Sequence, residues 1–364
     1  MKKIILVILS LIIGLVSVVW LYQHVGLKGI FSQIGNLNIR QLVVIFIFQL
    51  LAFIIITIRW KILLKDLKIQ QISFGAAFKT RLTEYACSYF FPFYLGTEIV
   101  RPGILKTEKG VSFTVCLASV IIDRLAEIAA IFIFLFFGAV LLLITGNIFF
   151  SLLILFLVGL FFFLFLLLIK KIGLDKTLSF FVKIFGLRRF KFFPPGDDSI
   201  GDKINPLRCF FYKLLPRSLR NISISDKIDS LGLEINDYLK RRQSKFPLAI
   251  CLSCLTLFIW LFQAWILLGF FGYHLALEKV LLIKVFVSIA SLIPIPARLG
   301  TYEAAHVLIF NLFGLSAKTG IAFTLIIRLM DFIIVALGIF FGAHYLIKFF
   351  YRKIINAGIS ANKL

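Results

Sequence analysis

Long apolar runs alternate with short polar segments along most of this chain. A transmembrane helix needs about 20 consecutive apolar residues to cross the hydrocarbon core of a bilayer. Six runs are that long: 4–22, 42–64, 113–144, 148–169, 246–270 and 318–347. Two further runs, 74–105 and 280–312, are as apolar but contain proline, glycine and charged residues. The pattern predicts an all-α integral membrane protein with six full transmembrane helices and two interrupted segments.

Composition agrees with that class. Hydrophobic residues make up 61% of the chain and the mean hydropathy is +1.02, whereas soluble domains are about 45–50% apolar. The first run, 4–22, follows two lysines and has no small-residue cleavage site, which favours a retained helix over a signal peptide. The five cysteines have no framework spacing and the four histidines are isolated in sequence. We therefore expect neither a disulfide framework nor a metal or other cofactor.

The formal charge of +23 comes from basic residues that cluster between the apolar runs. A nucleic-acid partner is not expected, because such proteins gather their basic residues on one face of a soluble fold. With the N-terminus in the cytoplasm, 59–81, 101–109, 170–245 and the C-terminal tail all lie on one side and carry most of the lysine and arginine. The sequence therefore predicts a multi-pass protein of the cytoplasmic (inner) membrane with both termini in the cytoplasm.

The chain contains an internal repeat. Shifting the sequence by 204 residues aligns 92–139 with 296–343, and fourteen of the 48 aligned positions are identical. We predict a single polytopic domain over 1–364, divided as follows: a first half 1–169 with repeat core 74–144, a cytoplasmic loop 170–245, a second half 246–350 with repeat core 280–347, and a cytoplasmic tail 351–364. On the predicted topology the two repeats have opposite orientations.

The interrupted segments are interpreted as re-entrant hairpins, one from each side of the membrane. Irregular backbone at membrane depth is tolerated only where protein buries it or water reaches it. The predicted tip residues are Pro92, Gly96 and Thr97 in the first repeat and Pro296, Gly300 and Thr301 in the second. Thr97 and Thr301 are predicted helix N-caps, with the helix amides directed at an anion. The alternative is an ordinary packed helix with a kink.

Charged residues lie inside the repeat helices, where each unpaired charge would cost about 2.5–3.5 kcal/mol. Arg124 with Glu127 and Arg328 with Asp331 have the i,i+3 spacing of ion pairs. They form either a structural ion pair between the helices or a polar path for a charged headgroup. The candidate substrate-binding residues are Asp123, Arg124, Glu127, Arg328, Asp331, Glu98, Arg101, Arg298 and Glu303. Arg81 and Glu84 could extend this set, although Arg81 also suits an interfacial anchor.

Three segments carry a family resemblance: LGTEIVRPGILK (95–106), VIIDRLAE (120–127) and IPIPARLGTYEAA (293–305). With them the chain resembles the membrane-embedded, flippase-like domain of lysylphosphatidylglycerol synthases, from about residue 10 to 347. Members often have two glycines where this chain has Ala297 and Arg298, which leaves the lipid open. In full synthases a soluble aminoacyl-transferase domain follows, and the chain here stops at Leu364. The resemblance therefore implies translocation of a lipid and not its synthesis.

We expect a flippase-like transporter for a phospholipid, such as aminoacylated phosphatidylglycerol, or for a lipid-linked headgroup. Membrane lipids are the expected partners. No catalytic residues are assigned, since no nucleophile–base pair or phosphate-binding loop is present. Two alternatives remain. One is a transferase for a lipid-linked sugar or phosphate, using the acids of DDSIGD (197–202), which also suit an exposed turn. The other is a non-catalytic partner of a separately encoded lipid-modifying synthase.

Overall fold

A computed structural model of the chain describes residues 25–69, 72–90, 100–144, 244–290 and 298–361, with scattered residues outside these ranges. The elements in the five ranges are α-helices, and these ranges contain no strand. In chain order they are α1 (Leu27–Gly35), α2 (Ile39–Asp66), α3 (Phe74–Phe90), α4 (Val100–Lys109), α5 (Phe113–Ile144), α6 (Phe246–Phe270), α7 (Leu277–Ala290), α8 (Thr301–Leu312) and α9 (Ala317–Ala361).

The predicted runs 42–64, 113–144, 246–270 and 318–347 are confirmed as helices α2, α5, α6 and α9. Among the described residues, three helices are long and apolar enough to cross a membrane: α2, α6 and the Ala317–Ala343 part of α9. Large apolar side chains stay exposed along them, including Ile47, Phe258 and Leu329. Such a surface suits lipid and not water. The runs 4–22 and 148–169 and the loop 170–245 lie largely outside the described residues.

Each interrupted run consists of two helices with an undescribed stretch between them. The run 74–105 gives α3 and α4, and the run 280–312 gives α7 and α8. The predicted tips lie mainly in the stretches between, 91–99 and 291–297, which are outside the described residues. Within each pair the two helices pack against each other.

The helix bounds repeat at the offset found in the sequence. Helix α5 begins at 113 and α9 at 317, while α2 ends at 66 and α6 at 270, so both pairs differ by 204. Two left-handed turns recur at the same offset. Gly110 (φ 65°) corresponds to Gly314 (φ 72°), and Lys68 (φ 63°) corresponds to Gly272 (φ 83°). Among the described residues, helices α2 to α5 and helices α6 to α9 therefore follow one another at similar positions.

The halves are held together by exchanged contacts. Helix α3 of the first half packs along α9 of the second, and α7 of the second half contacts α5 of the first. Small residues make the approach possible: a Cβ atom at Gly338 would collide with the Leu82 carbonyl oxygen on α3. One turn later, a Cβ atom at Gly342 would lie 3.1 Å from Thr83. Glycine at these positions lets the two helix backbones approach closely, as is common between membrane helices.

Substitution of Gly338 should weaken the contact between the halves. Gly338→Ala places a methyl group against backbone that cannot move without shifting α3, so we expect a loss of about 1–3 kcal/mol in the free energy of unfolding. Gly269→Ala is the matched control, because a Cβ atom there meets nothing within 4 Å. Thermal unfolding of both purified variants in detergent measures the difference. Equal midpoints for the two variants would contradict this account of the α3–α9 contact.

Candidate functional site

Four arginines and three carboxylates form a network among α2, α3, α4 and α5. We call this network the Asp123 cluster. Its members are Arg59 on α2, Arg81 and Glu84 on α3, Arg101 on α4, and Asp123, Arg124 and Glu127 on α5. If all are ionised, the cluster carries one net positive charge.

Asp123 lies at the centre of the cluster and is fully buried. Its Oδ1 accepts a hydrogen bond from Arg59 Nε at 2.6 Å. Its Oδ2 accepts from Arg101 Nη1 at 2.9 Å and from Arg81 Nη1 at 3.4 Å. Burying a carboxylate is costly unless charges and hydrogen bonds compensate it. Three arginines converging on one acid supply that compensation.

Arg59 connects three helices through its guanidinium group. Besides Asp123, it donates from Nη2 to Glu127 at 2.7 Å and from Nη1 to the Ser253 hydroxyl on α6, also at 2.7 Å. Arg59, Arg81 and Arg101, which the predicted topology counts among its cytoplasmic basic residues, all have buried side chains. The lysine and arginine excess on the predicted cytoplasmic side remains without them.

One edge of the Asp123 cluster is accessible. The side chains of Arg124 and Glu127 are 36% and 24% exposed, while the other members are buried. The i,i+3 contact predicted for this pair is present, with Arg124 Nη1 donating to Glu127 Oε2 at 2.6 Å. Arg124 Nη2 also lies 3.3 Å from Glu84 Oε1. The edge therefore presents the Arg124 guanidinium and the Glu127 carboxylate, with the buried Glu84 carboxylate next to Arg124.

The second half contains a different arrangement around Arg328 on α9. Arg328 Nε donates to Glu303 Oε1 at 2.5 Å, Nη1 to the Tyr89 hydroxyl at 3.1 Å and Nη2 to the Arg298 carbonyl oxygen at 3.2 Å. Tyr302 lies under both guanidinium groups, 5.7 Å from that of Arg328 and 5.1 Å from that of Arg298. We call these five residues the Arg328 cluster. It connects α3, α8 and α9.

The predicted pair of Arg328 with Asp331 does not form, which corrects the sequence-based pairing. Arg328 forms an ion pair with Glu303 instead, because α8 packs along α9 and places the Glu303 carboxylate next to the Arg328 guanidinium. The predicted N-cap Thr301 was also wrong. Helix α8 is capped at Gly300 (φ 78°), whose amide donates to Glu303 Oε2 at 2.9 Å. Glu303 therefore ties the start of α8 to Arg328.

Asp331 is bonded to neutral groups. Its Oδ1 accepts from Gln49 Nε2 on α2 at 2.9 Å and from the Tyr85 hydroxyl on α3 at 2.7 Å. Gln263 Nε2 on α6 in turn donates to Gln49 Oε1 at 3.2 Å. The sequence analysis missed these partners. Isolated polar residues in the apolar runs of α2 and α6 were the signal that could have found the two glutamines.

Helix α3 contributes to both arrangements. Arg81 and Glu84 belong to the Asp123 cluster, whereas Tyr85 and Tyr89 contact Asp331 and Arg328. Because these positions follow one another at helical spacing, a displacement of α3 would change both sites together. The sequence analysis named Arg81 and Glu84 only as an extension and missed both tyrosines.

Several predicted residues cannot be placed. Pro92, Gly96, Thr97, Glu98 and Pro296 lie outside the described residues, as does the acidic stretch 197–202. Within the described part of the chain, no group of three His, Cys, Asp or Glu side chains is arranged to hold a metal ion.

Charged clusters enclosed by a bundle of apolar helices, three of which are long enough to cross a membrane, indicate a multi-pass membrane protein. The family model for the lysylphosphatidylglycerol synthase transmembrane region matches residues 7–338. The chain therefore belongs to that family, which indicates a lipid-related function in the membrane. A comparison with curated proteins and one with solved structures each gave no match.

Proposed function

We propose that the protein moves a phospholipid or a lipid-linked headgroup across the cytoplasmic membrane. The observation that carries the proposal is the accessible edge of the Asp123 cluster, where Arg124 and Glu127 are partly exposed within an apolar bundle. Ionisable residues at membrane depth are expensive and usually mark a substrate or ion pathway. A lipid headgroup is the charged ligand that a bilayer supplies at this position.

The chemistry of the edge suits a phosphate with or without an amine. A guanidinium group binds phosphate oxygens through two parallel hydrogen bonds. Arg124 could exchange its carboxylate partner for such a phosphate, which would leave Glu127 and Glu84 to accept from an amine. The cluster also holds an unused donor, since Arg81 Nε has no acceptor among the described residues. These features support both phosphatidylglycerol and its aminoacylated form as substrates.

The apolar surface next to the edge suits the acyl chains. Ile128 and Ile131 follow Glu127 on α5 and are 45% and 44% exposed, and Phe137 further along is 64% exposed. Lipid tails are as apolar as these side chains, so acyl chains can contact them in the bilayer without cost. The headgroup would therefore follow the polar edge while the tails stay in the bilayer.

The duplicated helices supply a means of alternating access. The matching helix bounds at an offset of 204, together with the predicted topology, support two halves of opposite orientation. Inverted repeats that rock against each other about a central site are common in secondary transporters. We propose that the interrupted segments are re-entrant hairpins that gate the two sides. The exchanged contacts of α3 with α9 and of α7 with α5 are the surfaces that would move.

Substitution of Arg124 tests this function. The full chain is reconstituted in proteoliposomes with headgroup-labelled phosphatidylglycerol or its aminoacylated form, and movement between leaflets is followed. Arg124→Ala should slow translocation about tenfold to a hundredfold, because a hydrogen bond to a charged group contributes about 1.5–3 kcal/mol. Lys109→Ala removes an exposed positive charge at the end of α4 and should leave the rate unchanged.

Protein-dependent movement that is lost in Arg124→Ala and kept in Lys109→Ala supports the proposal. A folded Arg124→Ala variant that translocates as fast as wild type would remove this edge as the headgroup site.

A further inference from the structure

The two halves differ in charge at positions that the repeat makes equivalent. At an offset of 204, Arg59 corresponds to Gln263 and Glu127 corresponds to Asp331. The supporting residue is also matched: Ser253 accepts from Arg59, and its counterpart Gln49 accepts from Gln263. The contact between α2 and α6 therefore recurs at equivalent positions, once with an arginine as the donor and once with a neutral amide.

This difference leaves Asp331 without the partners of its counterpart. Glu127 is paired with both Arg59 and Arg124. The equivalent partners of Asp331 would be Gln263, which is neutral, and Arg328, which is bonded to Glu303. Among the described residues Asp331 makes no ion pair, and it is only 6% exposed. It is a buried carboxyl group held by neutral donors.

The geometry around Asp331 favours a proton over a metal ion. Gln49 Nε2 and the Tyr85 hydroxyl both donate to Oδ1, so the groups that face the carboxyl are donors and not the oxygen ligands that a hard cation needs. Oδ2 has no hydrogen-bond donor among the described residues. A buried carboxylate that makes no ion pair and is held by neutral donors can be neutralised by protonation. Oδ2 is the atom at which a proton would be bound.

We propose that Asp331 is a proton-binding site, that the neighbouring Arg328 cluster is a second position for the headgroup phosphate besides the edge of the Asp123 cluster, and that the two occupancies are coupled. The coupling rests on the proposed function, while the proton site itself does not. Protonation of Asp331 would accompany one orientation of the two halves and release of the proton the other. The protein would thereby use a proton gradient to move its lipid.

The charged groups around Asp331 supply the coupling. Three cations face its carboxyl group: Lys284 on α7, Arg298 in the turn before α8, and Arg328 on the same helix. Three tyrosines also face it: Tyr85 and Tyr89 on α3, and Tyr302 on α8. Glu303 acts through its pairing with Arg328, and α2 and α6 contribute only the neutral amides. A phosphate bound by the cations would offset their field and favour protonation of Asp331. By linkage, protonation would favour phosphate binding by the same factor.

The proton site is tested first without transport. Infrared difference spectra of the purified full chain in nanodiscs, recorded between acidic and neutral pH, report the carbonyl band of a protonated carboxylic acid. We expect such a band in wild type, its loss in Asp331→Asn and its retention in Glu127→Gln, because Glu127 is ion-paired. A band that persists unchanged in Asp331→Asn would overturn the proposal.

The coupling is tested in proteoliposomes with an imposed pH gradient of about one unit, which corresponds to a tenfold difference in proton concentration. We expect the gradient to change wild-type translocation of phosphatidylglycerol several-fold, up to about tenfold, and to have no effect on Asp331→Asn. Asp331→Glu keeps a titratable group and should keep the response.

The outcomes separate the two claims. A wild type that translocates lipid with no response to the gradient, or an Asp331→Asn variant that responds like wild type, would overturn the coupling and leave the transport function standing. If wild type moves neither phosphatidylglycerol nor its aminoacylated form, the result would count against the transport function. The infrared band would then test the proton site by itself.

Discussion

Asp123→Asn is expected to destabilise the protein by about 3–5 kcal/mol, the usual cost of removing one partner from a buried ion network. The change removes the negative charge on which Arg59, Arg81 and Arg101 converge. Three guanidinium groups would then be buried with only Glu84 and Glu127 to balance them. Chemical or thermal unfolding in detergent, beside Asp237→Asn at an exposed position, measures the loss.

The second half of the chain suggests a partial rescue of that variant. Gln263 stands where Arg59 stands in the first half, and there a neutral amide is accommodated. The double variant Arg59→Gln with Asp123→Asn should therefore regain part of the stability lost in Asp123→Asn. If Asp123→Asn unfolds at the same midpoint as Asp237→Asn, the Asp123 cluster does not have the electrostatic role assigned to it.

Arg328→Ala is expected to reduce lipid translocation by about a hundredfold or more. Arg328 makes three hydrogen bonds in different directions, to Glu303, Tyr89 and the Arg298 carbonyl, and each bond of this charged kind is worth about 1.5–3 kcal/mol. Its loss would leave the Glu303 carboxylate buried without its cation. The variant would remove both the guanidinium group that we propose binds phosphate and the attachment of α8 to α9.

A charge-retaining substitution separates these two effects. Lysine keeps the positive charge but cannot reproduce the planar, multidirectional donor set of arginine. Arg328→Lys should therefore recover part of the rate, whereas Lys279→Ala at an exposed position of α7 should not change it. The variants are compared in the same proteoliposome assay after checking that each inserts and stays monodisperse. An Arg328→Ala variant with the wild-type rate would exclude the Arg328 cluster from the transport path.

The helices were predictable because run length and apolar content determine them. The predicted run 246–270 has the same bounds as α6, and the predicted run 113–144 has the same bounds as α5. In both helices the apolar stretch ends at a glycine turn or a charged segment, which the sequence shows directly. Proline and glycine inside the apolar runs 74–105 and 280–312 also showed that neither run is one continuous apolar helix, and each contains two helices.

The partners of the charged residues were not predictable in the same way. The spacing along α9 predicted an ion pair between Arg328 and Asp331. Because α8 packs on α9, Arg328 forms its ion pair with Glu303 instead. Spacing gave the correct partner for Arg124, because Glu127 accepts from Arg124 through Oε2 while Oε1 accepts from Arg59. Sequence spacing identifies which ion pairs are possible within one helix, and the packing of the helices determines which of them form.

Arg59 shows a second limit of sequence reasoning. It lies near the end of an apolar run, where basic residues normally mark the membrane surface. Helix α2 continues to Asp66, so Arg59 is one to two turns inside the helix and its side chain is buried. Extending the repeat comparison to α2 and α6 would have shown that a polar residue recurs at 59 and 263 within apolar helices.

The most direct test of the transport account is the movement of headgroup-labelled phosphatidylglycerol and its aminoacylated form in proteoliposomes containing the wild-type chain. A membrane-impermeant reagent destroys the label in the outer leaflet, and the protected fraction reports the inner leaflet. The account predicts that wild type lowers the protected fraction well below that of protein-free vesicles, and that Arg328→Ala does not. A protected fraction for wild type equal to that of protein-free vesicles, for both lipids and with folded protein, would contradict it.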